Sequence, residues 1–199
     1  MVDYAEEADF VGRKKPRRYV SFEQAQRRRE ARNAARTEED WQRYARETVY
    51  RLLGVRDRSV GELRSALKKR DVPEAIAEQV IAAFVDSGLV DDAKFAQSFV
   101  RARFSGKTIS RRSLAAELRK RGISSDDIDA ALEQIDSDDE EEAATAFALR
   151  KVSSMQALPI QVAHRRLYGA LARRGFSTAT IVRACERALE ELSGHSESD

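Results

Sequence analysis

An all-α fold built from three tandem three-helix units is predicted by three observations. The 199-residue chain holds only nine Gly and three Pro, and it is rich in Ala, Leu, Arg and Glu, the residues that lose least on entering a helix. Its apolar residues recur at helical rather than alternating spacing. A leucine motif appears three times at a near-constant interval. The three copies are Leu63-x-x-x-Leu67-x-x-Arg70-Asp71-Val72, Leu114-x-x-x-Leu118-x-x-Arg121-Gly122-Ile123 and Leu167-x-x-x-Leu171-x-x-Arg174-Gly175-Phe176. Their first leucines stand 51 and then 53 residues apart.

Residues 1–36 lack sustained apolar periodicity and are expected to form a flexible, basic arm, helix-prone from Ser21 to Arg36. Thr37 before Glu38, Glu39 and Asp40 starts the first unit's leading helix, striped by Trp41, Ala45, Thr48/Val49 and Leu52 and ended at Gly54. Ser59 with Glu62 reads as a capping box for the first motif helix. Leu at i and i+4 places two anchors on one face, and Gly after the last turn accepts the left-handed conformation of a C-cap. Each motif helix leads through a polar turn (Pro73-Glu74, Ser124-Ser125, Ser177-Thr178) into a third helix. The stripes of these third helices are Ile76, Val80, Phe84; Ile128, Leu132, Ile135; and Ile181, Cys185, Leu189. Leading helices are expected near 39–53, 92–104 and 139–152, the last capped by Ser137 with Glu140. The resulting division is arm 1–36, repeats 37–90, 91–136 and 137–192, and a polar tail 193–199. Units this small bury little core each, so they are expected to pack end to end into an elongated, curved body.

Net charge is only +2, but the charges are sorted along the chain. Arg13 to Arg36 carries ten basic residues against two acids, and Phe99 to Ile123 carries eight against Glu117. Ser124 to Glu142 holds ten acids and no base, and between Glu142 and Glu186 there is no acid at all. Such blocks make local fields that suit phosphate and, for the acidic run, a basic surface. The plainer alternative is that they are solvated helix faces and helix-end charges.

The stretch Leu52-Leu53, Arg56-Asp57-Arg58-Ser59, Glu62-Leu63-Arg64 and Leu67 resembles the first repeat of the RecX family, bacterial modulators of the RecA recombinase. Gly88-Leu89-Val90-Asp91-Asp92 with Phe95-Ala96 and Arg101-x-Arg103 is similar to that family's approach to its second repeat, as is Gly106-Lys107, Ile109, Leu114, Leu118 and Arg121-Gly122-Ile123. The resemblance spans about residues 41–190, its third unit resting on Leu167, Leu171, Gly175 and Phe176. It implies a non-enzymatic regulator that lies in the groove of the RecA–DNA filament. There it would oppose filament growth, strand exchange, ATP turnover and coprotease activity, in DNA repair and the SOS response.

Other chemistries fare poorly. Gly106-Lys107-Thr108 lacks the Gly five residues earlier that a phosphate-binding P-loop needs, since Arg101 stands there. His164 and His195 are far apart, Cys185 occupies a core position, and the acidic run lacks the EF-hand ligand pattern. No catalytic residue, metal or cofactor is expected. A single Cys, no apolar signal segment and no membrane-length apolar run point to a cytoplasmic chain, taken as a monomer.

The expected binding residues form a basic ridge on the motif helices. In the first unit they are Arg64, Lys68, Lys69 and Arg70. In the second they are Arg111, Arg112, Arg119, Lys120 and Arg121, preceded by Arg101, Arg103 and Lys107. In the third they are Arg165, Arg166, Arg173 and Arg174. The ridge is expected to meet RecA and the single- or double-stranded DNA of its filament through sequence-independent, salt-sensitive phosphate contacts. Two competing readings are a stand-alone DNA-binding helical module and a protein adaptor whose charges serve solubility alone.

Overall fold

The structure, a computed structural model, describes residues 21–106 and 108–194. Among the described residues there are ten α-helices, one short 3-10 turn and no strand. They fall into two units, residues 1–37 and 38–199.

In the first unit, α1 (Phe22–Ala34) starts at Ser21, whose side chain accepts from Gln24 N. It is the helix-prone part of the expected arm. The rest of that arm, residues 1–20, lies outside the described residues, as does the tail beyond 194.

The second unit comprises α2 (Glu38–Leu53), α3 (Val60–Lys68), α4 (Glu74–Asp86), α5 (Asp92–Phe104), α6 (Arg111–Lys120), α7 (Ser125–Leu132), α8 (Ser137–Val152), the 3-10 turn Ser153–Met155, α9 (Ile160–Ala172) and α10 (Thr178–Gly194). The helices pack mainly within consecutive triplets, α2 to α4, α5 to α7 and α8 to α10. Each triplet closes over its own apolar cluster, and Phe104 touches both the second and the third. The six motif leucines Leu63, Leu67, Leu114, Leu118, Leu167 and Leu171 are all completely buried. Cys185 is buried in the third cluster as Val80 and Leu132 are in theirs, which makes it core filler.

The motif turns follow one design. Gly122 and Gly175 stand at φ +80° and +81°, and Asp71 takes the same left-handed place at φ 60°. Ile123 N–H reaches back to Leu118 O at 3.3 Å, and Val72 N–H to Leu67 O at 3.2 Å, closing the helix ends as Schellman turns do.

Two expected caps differ in detail. Ser59 caps α3 by accepting from Glu62 N, but the Glu62 carboxylate turns to Arg56 at 2.9 Å, so a Ser59–Glu62 reciprocal box is not formed. The α8 cap is Asp136 rather than Ser137: Asp136 is extended at ψ −176° and forms a reciprocal capping box with Asp139. One residue of register separates the two choices, and an ionised carboxylate is the stronger acceptor at a helix start. Glu140 is thereby released for another task.

Candidate nucleic-acid and protein interface

The motif helices α3, α6 and α9 meet head to tail. Ser59, fully buried at the start of α3, donates to Arg121 O at the end of α6 at 2.6 Å. Ser110, fully buried at the start of α6, donates to Arg174 O at the end of α9 at 2.8 Å, and Ser113 Oγ donates to the same carbonyl at 2.8 Å. Each junction is fastened a second time. Val60 N–H donates to Asp92 Oδ1 at 2.9 Å, and Arg111 N–H donates to Glu140 Oε1 at 3.2 Å. In both cases a leading-helix acid of the next repeat satisfies a free amide of the motif helix's first turn.

The approach is close enough to require glycine. A Cβ on Gly61 would overlap the Arg121 carbonyl oxygen, and one on Gly175 would lie 2.5 Å from Ser113 Oγ and 2.7 Å from Ser110 Oγ. The row ends at α9, where Ala163 occupies the register of Ser59 and Ser110, four residues before the motif leucine, and Pro159 precedes the helix. At the other end the turn after α3 carries Asp71, at φ 60°, where the other two turns carry glycine. Helix dipoles in a head-to-tail row add along one direction, and each internal junction pairs a positive start with a negative end.

This row carries the expected ridge. Lys68, Lys69, Arg112, Arg119, Lys120, Arg165, Arg166 and Arg173 are exposed, and Arg111 is half-buried. Others are engaged in holding the repeats. Arg64 makes a bidentate pair with Glu78, at 2.5 and 2.7 Å, which holds the Glu78 carboxyl below its ordinary value. Arg70 and Arg121 each donate to the carbonyl four residues back, Ala66 O at 2.8 Å and Glu117 O at 2.9 Å. Arg121 also lies 4.4 Å over the Phe99 ring and 3.7 Å from Glu62, while Arg174 lies 3.8 Å over the Phe147 ring. Arg103 pairs with Glu117 at 2.7 Å. Arg101 is exposed on α5, and Lys107 lies outside the described residues.

The sequence reading missed the serine–carbonyl clasps. Their signal was a Ser four residues before Leu63 and Leu114, readable only as an N-cap until the neighbouring helix end is in view. No helix of the described residues is long and apolar enough to cross a membrane, and none of their His, Cys, Asp and Glu groups could hold a metal ion. His195 is outside the described residues.

Family models for the first, second and third three-helix domains of RecX match residues 45–83, 91–132 and 138–185. The chain belongs to the RecX family. The regulatory protein RecX of Streptomyces coelicolor is 41% identical over 147 residues, covering 74% of this chain and 78% of its own. That of Thermobifida fusca is 38% identical, covering 76% and 82%. A crystal structure of a regulatory protein RecX overlays with TM-score 0.65 at 26% identity, covering 76% of this chain and 74% of its own. The RecX structure from Lactobacillus salivarius, at 19% identity and TM-score 0.67, shares the fold.

Proposed function

We propose that this RecX-family chain acts by binding to the RecA–DNA filament, where it restrains ATP turnover, strand exchange and coprotease activity. The observation that carries this reading is the succession of three RecX domains, matched in order along residues 45–185. The head-to-tail row of α3, α6 and α9 supports it physically. A row of small repeats can follow successive filament subunits, and its exposed cations suit a surface made of protein and DNA phosphates. Arg112, Arg119, Lys120, Arg165, Arg166, Arg173, Lys68 and Lys69 are the ridge residues exposed for that contact; Arg64, Arg70, Arg103, Arg121 and Arg174 contribute while already serving structural partners. Repeats at 37–90, 91–136 and 137–192 are the units of this monomeric, cytoplasmic regulator, with residues 1–36 as a charged arm.

The test is an ATPase assay with purified RecA, single-stranded DNA and ATP. Added chain is expected to suppress filament-dependent hydrolysis at amounts equal to or below RecA. Unchanged hydrolysis at every ratio overturns the reading. Tight binding to bare DNA with no preference for RecA-coated DNA favours a stand-alone DNA-binding module instead.

A further inference from the structure

The three motif helices differ in how their charges are balanced. At the register of Arg166 the first repeat has Glu62, which lies 2.9 Å from Arg56 and 3.7 Å from Arg121. At the register of Ala170 the second repeat has Glu117, paired with Arg103 at 2.7 Å. The third repeat has no carboxylate at either place, and its sequence has none between Glu142 and Glu186. Its cations nonetheless converge. Lys151 at the end of α8 faces Arg165, Arg166 and Arg173 of α9 across a cleft of about 440 Å³, floored by the buried Met155 and Ala170. Gly169 keeps the α9 wall bare, for a Cβ there would stand 3.4 Å from the Arg173 guanidinium. Four like charges facing one open space, with no acid lining it, repel one another until an anion arrives.

We infer that this cleft between α8 and α9 is a phosphate seat that holds the backbone of a nucleic-acid strand. In the first two repeats Arg64, Arg103 and Arg121 are paired with acids, while Lys68, Lys69, Arg112, Arg119 and Lys120 are exposed along their motif helices rather than gathered at one cleft. Guanidinium groups suit this ligand because they can grip phosphate oxygens in pairs. The assignment rests on the nucleic-acid part of the proposed function and names where that contact lies.

The experiment measures fluorescence anisotropy of a labelled oligothymidylate with the full chain across a salt series. Lys151→Gln/Arg166→Gln/Arg173→Gln is expected to make the log–log salt slope shallower by about two, as three single-strand phosphate contacts require. Arg43→Gln/Arg46→Gln/Arg51→Gln, on exposed positions of α2, is expected to leave the slope unchanged. Arg166→Lys/Arg173→Lys, which keeps the charge, is expected to retain it. Inorganic tripolyphosphate should displace the strand from the wild-type chain at lower concentration than from the Gln triple.

An unchanged slope in that triple, an equal loss in the α2 control, or equal displacement by tripolyphosphate overturns the cleft. The RecA ATPase assay separates the two ideas. Intact suppression with an unaltered slope removes the cleft alone, whereas absent suppression with a cleft-dependent slope removes the filament reading and leaves the cleft.

Discussion

Ser59 and Ser110 each do two things with one oxygen. Each accepts from an amide of its own helix, at 3.1 and 3.2 Å, and donates its proton to a carbonyl of the next repeat. Ser110→Ala therefore removes a cap and leaves an inter-repeat carbonyl with one donor fewer. A cost of about 1–2 kcal/mol is expected from urea unfolding. Gly175→Ala is the harsher change, because a left-handed backbone and an overlap with two hydroxyls combine. A loss of roughly 2–4 kcal/mol is expected, and a cost under about 1 kcal/mol would show that the junction yields easily.

Asp92 at the first junction contributes a loss of stability as pH rises, opposite in sign to the contributions of Glu78 and Asp91. Burial raises its pKa above the ordinary 3.8, with Asp127 and Asp91 adding repulsion, against the lowering effect of the Val60 hydrogen bond. A folded-state value above the unfolded one gives stability that is full below the unfolded pKa. That stability is lost as pH rises through the folded pKa. Asp92→Asn keeps an acceptor for Val60 and abolishes this titration. Between about pH 4 and about pH 7 the variant should lose less stability than the wild type, measured as urea midpoints. Equal losses would mean that Asp92 is not the group responsible.

At the scale of the helix, each repeat is held by one buried face and closed at one turn. Leu118 is completely buried on α6 and accepts the returning amide of Ile123. Leu118→Ala is expected to cost about 2–5 kcal/mol by leaving a cavity in the second core. On α10 the Cys185 thiol is buried and its pKa is raised, first by that burial and then by Glu186. In the native protein it should react with a thiol reagent far more slowly than in urea, where the same reagent should label it at once. Rapid native labelling would show that α10 opens readily.

For the molecule as a whole, the central question is how far three separate cores behave as one. The clasps at Arg121 O and Arg174 O, with Asp92 and Glu140, couple them alongside the Arg121–Glu62 pair and the Phe104 contact. In a linear array, cooperativity is the sum of repeat stabilities and junction energies. Weakening the second junction with Ser110→Ala/Ser113→Ala is therefore expected to split one calorimetric transition into two. A single, merely shifted transition would mean that the core contact through Phe104 suffices.

The sequence by itself determined the helical class, the threefold motif, the six leucine anchors and the left-handed turns at Gly122 and Gly175, whereas that at Asp71 came only from the structure. The former all depend on residues a few positions apart, where periodicity and cap chemistry act locally. It also marked the cations of the motif helices, because charge is visible without coordinates. Which of those cations are spent was decided by tertiary structure alone. Arg121 meets Glu62, 59 residues away in the chain, and Ser110 meets Arg174 O across 64. No local pattern encodes such pairings, since they arise only when one repeat's helix end is set against the start of another. The unbalanced charge of the α8–α9 cleft became visible in the same way, because Glu62 and Glu117 pair with cations on their repeats and have no counterpart on α9.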